Sequence, residues 1–90
     1  MPKGVIMHRT IENFWRQYSC LPKRIRDLAD KSFALLKENS RHPSLRFKKI
    51  GRLWSVRIGE MHRALAVKDG NDYIWVWIGS HDDYEEMLHR

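Results

Sequence analysis

From Leu45 to Ile58 apolar residues alternate with polar ones, and most of the polar ones are basic. Side chains of an extended strand point alternately to its two faces. Arg46 and Lys48 therefore share one side and Leu45 and Phe47 the other. In the next run Trp54, Val56 and Ile58 share one side, and Ser55 and Arg57 the other. This pattern predicts a sheet with one apolar and one cationic face, and the cationic face is the candidate working surface. The segment Arg41–Arg63 holds Arg41, Arg46, Lys48, Lys49, Arg52, Arg57 and Arg63 against Glu60 alone, a net +6. The flanks, +4 over residues 1–40 and −4 over 64–90, cancel, so the whole chain is also +6.

Ninety residues make a single domain, 1–90. An apolar fraction of 42% with four Trp is ample for a folded core and argues against disorder. A pI near 9.8 with clustered charge suits an anionic partner, such as nucleic acid or an acidic protein. Cys20 is the one cysteine, so no internal disulfide can form, which fits a reducing cytoplasm. MPKGVIMHRT has no apolar core of a secretion signal, and the longest apolar run, Tyr73–Ile78, is far too short to span a bilayer. No membrane association is expected.

Along the chain, Val5–Met7 reads as a short edge strand. Thr10 is placed to cap a helix from Ile11 to Tyr18, in which Ile11, Phe14, Trp15 and Tyr18 form an apolar stripe. Pro22 suits the first position of a second helix running to Glu38, with Ile25, Leu28, Ala29, Ser32, Leu35 and Leu36 inward. Asn39 can take the left-handed conformation that ends a helix, and Pro43 prevents continuation. Residues 10–39 are thus a helical hairpin. Strands follow over Leu45–Ile50, Leu53–Ile58, Met61–Lys68 and Tyr73–Ile78, with turns at Gly51-Arg52, Gly59-Glu60 and Asp69–Asp72. The last strand is apolar on both sides, Ile74, Val76 and Ile78 against Tyr73, Trp75 and Trp77. Ser80-His81-Asp82-Asp83 opens a short C-terminal helix over 80–90. The predicted fold is α+β: a helical hairpin on a twisted antiparallel sheet of about four strands, 45–79. Val56, Ile58, Ile74 and Val76 are expected beneath Phe14, Leu28 and Leu36.

The five histidines show no close ligand pair and there is no glycine-rich phosphate loop or serine-nucleophile signature. No cofactor or metal is expected. RNA cleavage needs neither, because the substrate's own 2′-hydroxyl can attack the adjacent phosphate. The protein must accept one proton, donate another and stabilise charge on the phosphorane. Arg57, Arg63, His81 and Tyr84 are the candidate catalytic set, and Arg46, Lys48, Lys49 and Arg52 the candidate RNA-binding residues. Each also has an ordinary reading. Outward Arg57 can serve solubility, Lys48 and Lys49 can protect an edge strand, His81 can cap, and Tyr84 can pack.

The run HPSLRFKKIGRLWSVRIGEMHRALAV, followed by WVWIGSHDDYEEM, resembles the RelE/ParE superfamily of bacterial toxins from toxin–antitoxin modules. The preceding FWRQYSCLPKRIRDLADKSFALLKENSRHP is similar to the family's helical hairpin, so the likeness covers about residues 10–88. It implies a hairpin packed on a twisted sheet, an antitoxin partner, and, in the RelE branch, cleavage of mRNA on the ribosome. By position Arg57 and Arg63 resemble two of that branch's strand cations. His81 stands where members carry Arg or His, and Tyr84 stands for the C-terminal aromatic. Ser55 occupies a position where several members carry a second strand lysine. The ParE branch shares the fold but inhibits DNA gyrase without cutting RNA. The leading expectation is a ribosome-dependent mRNA endonuclease. The rivals are a gyrase inhibitor and a basic RNA-binding module.

Overall fold

The change from a helical to a two-residue period near Pro43 is the boundary between the two layers of the fold. A computed structural model describes residues 7–89. The first strand, β1 (His8–Thr10), leads into helices α1 (Glu12–Ser19) and α2 (Lys23–Glu38) and a 3-10 turn, Pro43–Leu45. Strands β2 (Lys48–Ile50), β3 (Leu53–Ile58), β4 (His62–Asp69) and β5 (Asp72–Ser80) precede α3 (His81–Leu88). The described strands form one five-stranded sheet in the order β1-β5-β4-β3-β2. All neighbours are antiparallel except β1, which pairs parallel to β5. The expected four-stranded antiparallel sheet is thus a five-stranded mixed one. Val5 and Ile6 of the expected edge strand lie outside the described residues. Met7 precedes the observed strand, and its carbonyl accepts from the Tyr73 amide at 2.9 Å.

One apolar core lies between the sheet and the helical hairpin. Phe14, Ile25, Ala29 and Leu36 from the helices meet Val56, Ile58, Ala64, Ala66, Tyr73, Trp75 and Ile78 from the strands, each at most 8% exposed. The core is strongly aromatic: Phe33 packs edge-on to Trp75, with ring centroids 4.9 Å apart. Gly59 takes a left-handed turn, and an added Cβ would sit 3.1 Å from Leu28 Cδ1, so the β3–β4 turn fits closely under α2.

The structure corrects several details of the expected pattern. Ile11, not Thr10, occupies the N-cap position of α1, and the Thr10 hydroxyl instead accepts from Trp15 Nε1 at 2.8 Å. Only Phe14 of the α1 stripe is buried, and Ile11 and Trp15 are 40% and 48% exposed. Pro22 lies one residue ahead of α2. Asn39 has φ −153°, so it is not left-handed. Among the described non-glycine residues it is Arg46 that turns left-handed, at φ 45°. This kink follows the 3-10 turn and delays the start of β2 to Lys48.

The largest correction concerns β5. Leu65 pairs with Trp77, but its neighbour Ala66 pairs with Trp75. Val76 is therefore an extra residue, a β-bulge that switches which side chains face the helices. Tyr73, Trp75 and Ile78 enter the core, while Ile74, Val76 and Trp77 are only half-buried. The expectation that Ile74 and Val76 lie beneath the helices fails for this reason. Ser55 and Leu65, opposite each other on β3 and β4, are each 2% exposed yet stand outside the hairpin core. The second face of the sheet is therefore not a bare cationic surface. Part of it is buried, next to the end covered by α3.

Candidate functional site

Arg57 on β3 and Arg63 on β4 are directly opposite each other in the antiparallel register. They lie on the face shared with Ser55 and Leu65, away from the helical hairpin. Like charges in opposing positions oppose strand pairing, so the local sequence does not gain stability from this pair. Each guanidinium is tied to backbone. Arg57 Nε donates to the Gly59 carbonyl at 2.8 Å, and Arg63 Nη1 donates to the His62 carbonyl at 2.8 Å. One N–H thus fixes each fork and the others remain for an anion. Among the described residues no carboxylate lies within ion-pair distance of either.

Arg63 feels several neighbours. Burial and then the Arg57 charge push its pKa below the ordinary arginine value. Arg46 pushes in the same direction, while Tyr84 and Glu85 oppose it. Arg57 and Arg46 thus both act electrostatically on Arg63, and Arg46 does so from its left-handed turn.

The C-terminal helix completes the corner. Ser80 Oγ accepts from the Asp83 amide at 3.2 Å, the cap expected from the sequence. The His81 amide donates to the Met61 carbonyl at 2.6 Å, which fastens the start of α3 to the β3–β4 connection. Tyr84 is 5% exposed and faces the His81 ring, with centroids 5.8 Å apart and planes 33° apart. His81 Nε2 is 3.3 Å from Glu85 Oε1, and His89 Nε2 is 3.0 Å from Glu85 Oε2.

Of the predicted site residues, Arg57, Arg63, Tyr84, His81 and Arg46 gather at this corner. Lys48 is opposite Ser55 and lies on the same face, two residues along from Arg57. Lys49 pairs with Trp54 and faces the other way. Arg52 sits in the β2–β3 turn, five residues before Arg57, roughly 16 Å along an extended chain. Lys49 and Arg52 therefore stand apart from the cluster. Sequence reasoning missed Glu85, for which the i, i+4 spacing from His81 was the readable signal. It also missed the outward placement of Trp77, which depends on the bulge. Among the described residues no group of three or more His, Cys, Asp or Glu is arranged to hold a metal.

A sequence model described as the ParE-like toxin domain matches residues 23–86. Comparison with curated protein sequences returned no match. Solved structures match over nearly the whole chain at low identity. The RelB-RelE antitoxin-toxin complex from Methanococcus jannaschii aligns with a TM-score of 0.65 at 16% identity, over 89% of this chain and 98% of that one. The YoeB/ParE toxin from Agrobacterium tumefaciens aligns at 0.63 and 14%, over 84% and 99%. The isolated E. coli RelE toxin aligns at 0.62 and 12%, over 94% and 97%.

Proposed function

The chain belongs to the ParE-like toxin family, and from that premise we propose that it is an mRNA endonuclease that acts on the ribosome and is held inactive by an antitoxin. The observation that carries this reading is the cross-strand pair Arg57–Arg63, with Arg46 acting electrostatically on Arg63 and no carboxylate partner for the pair among the described residues, beside Tyr84 and His81. In the proposed reaction the 2′-hydroxyl of the substrate loses its proton and attacks the adjacent phosphorus. The bond to the 5′-oxygen then breaks, and that oxygen takes up a proton. Arg57 and Arg63 hold the non-bridging oxygens, as planar forks suited to two acceptors. His81 serves as the acid or the base for one of these two proton transfers, and solvent water serves the other. Tyr84 orients His81, and Arg46 and Lys48 position the RNA backbone.

A second reading, gyrase inhibition without RNA cleavage, is favoured by a separate observation. Ser55 is buried where a strand lysine would extend the cationic row, and half-buried Leu53, Val67 and Ile74 give the rest of this face an apolar character. Such a surface suits a protein partner.

The test is single-turnover cleavage of mRNA on a programmed ribosome by wild-type protein and by folded His81→Ala and Arg57→Lys variants. The expected result is a loss of about 10²–10⁴-fold in rate for His81→Ala with ribosome binding retained. Arg57→Lys should also be slow if two-pronged contact matters. Equal rates for wild type and His81→Ala remove His81 from the mechanism. Growth arrest with intact mRNA and with DNA breaks favours the gyrase reading. For the antitoxin, Lys48→Glu should weaken complex formation in a salt-dependent way, because an acidic tail is the partner this face suits.

A further inference from the structure

Strand β1 covers the edge of β5 only from Tyr73 to Trp75. Beyond that point no described strand pairs with the edge, and a cleft of about 430 Å³ separates it from the end of α1. Gln17 stands on the α1 side. Its Oε1 accepts from the Ile78 amide at 3.1 Å, which fixes the amide plane and leaves the NH₂ group as a donor. Trp77 lines the cleft because the bulge at Val76 turns it out of the core. Its ring lies against Gly79: a Cβ there would sit 2.6 Å from Trp77 Cζ2 and 2.9 Å from Cη2. Asp83, on the first turn of α3, adds a carboxylate, and Arg16 adds a cation. His62 also lines the cleft.

We propose that this cleft is a nucleobase subsite that receives one unstacked base of single-stranded RNA, guanine in preference to the others. An indole face stacks on any base, and polar groups around it read the Watson–Crick edge. Guanine offers two adjacent donors, N1–H and N2–H, to a carboxylate such as Asp83. Its O6 accepts from an amide NH₂ such as that of Gln17. Adenine and cytosine offer one amino group, and uracil one ring N–H. Gly79, opposite Arg63 in the β4–β5 register, carries the Trp77 indole against its backbone, so that ring stands between the cleft and the guanidinium cluster. A strand whose phosphate sits on Arg57 and Arg63 can therefore place a neighbouring base against that ring. The choice of RNA as the polymer rests on the proposed nuclease function, whereas base binding itself does not.

The experiment is an NMR titration of the ¹⁵N-labelled chain with 5′-GMP, 5′-AMP, 5′-CMP and 5′-UMP, with inorganic phosphate as control. The side-chain signals of Gln17 and Trp77 are followed. GMP should shift both, and phosphate alone should shift neither. Trp77→Leu should weaken GMP binding about 5- to 100-fold. Gln17→Glu keeps the acceptor for Ile78 but removes the donor, and should lower GMP affinity with an unchanged melting curve. Asp83→Asn should abolish the preference of GMP over AMP. Unmoved Gln17 and Trp77 signals at about 20 mM nucleotide, or equal shifts with all four, would overturn the proposal. If wild type does not cut RNA while GMP binds as described, the nuclease reading fails and the subsite stands. If wild type cuts RNA and folded Trp77→Leu cuts with the same KM, kcat and sequence preference, the subsite fails and the nuclease reading stands.

Discussion

Arg63→Met should make the protein more stable while destroying its function. Arg63 is half-buried, faces Arg57 across the strands, and has Arg46 as a further like charge. At about 6 Å two unit charges repel by roughly 0.7 kcal/mol in water and about 2.8 kcal/mol at an effective dielectric of 20. Measured opposing pairs fall near the low end, about 0.2–1 kcal/mol each. Two such repulsions, with the cost of partly desolvating the charge, come to about 1.5–2 kcal/mol. Against this stands the bond from Nη1 to the His62 carbonyl, 2.8 Å, whose loss costs about 1 kcal/mol net. The balance favours methionine by about 0.5–1 kcal/mol, or roughly 2–8 °C in melting temperature for a domain of this size. Thermal melts by circular dichroism should be run at about 20 mM and 500 mM NaCl. The gain should be largest at low salt and shrink at high salt, where exposed charges are screened. A variant that melts below wild type at low salt, or a difference insensitive to salt, would refute the view that this corner is strained by its own charge.

Val56, with no exposed surface and opposite Ala64, should not tolerate Val56→Asp: an unpaired buried carboxylate should leave no cooperative melt by circular dichroism. Gly59→Ala should lower stability by about 1–2 kcal/mol in urea titration, because φ is +60° and the new methyl meets Leu28. The pH dependence follows from two histidines. Burial, then Lys37, holds the pKa of His8 below its ordinary 6.5, against a smaller opposing pull from Asp72. Burial, then Arg24, holds that of His62 below the same value. The unfolded chain therefore takes up protons first as pH falls, so stability should decline from about pH 6.5 downward. Melting temperatures measured between pH 7.5 and 5 should show this fall, and His62→Asn should reduce it. A fall of the same size in that variant would remove His62 as a cause.

Much of the fold and part of the geometry of the candidate site were legible because they rest on local rules. Strand β3 appears where alternation marks it, from Leu53 to Ile58. The cap at Ser80 appears where Ser80-x-x-Asp83 announces it. Arg57 and Arg63 meet because their spacing about the Gly59 turn puts them in register, which short-turn geometry largely dictates. That Lys49 and Arg52 stand apart from the Arg57–Arg63 pair was not legible, because net charge carries no direction. In the structure one faces away from the cluster and the other sits at the far end of β3.

The sequence alone determined most of the layers of this protein: the helical hairpin, the strands β3 to β5, and where the cationic segment lies. Those properties come from periodicity and from turn residues within a few positions of one another. The tertiary structure decided which side of β5 faces the helices, through the bulge at Val76. A strand apolar on both faces carries no periodic signal to reveal such a slip, so pairing with β4 alone selects it. The same step turned Trp77 outward, buried Trp75, and left the open edge where Gln17 meets Ile78. It also placed α3 so that Tyr84 and Glu85 act on Arg63. These contacts join residues some twenty to sixty positions apart, and only the packed sheet and helices bring them together.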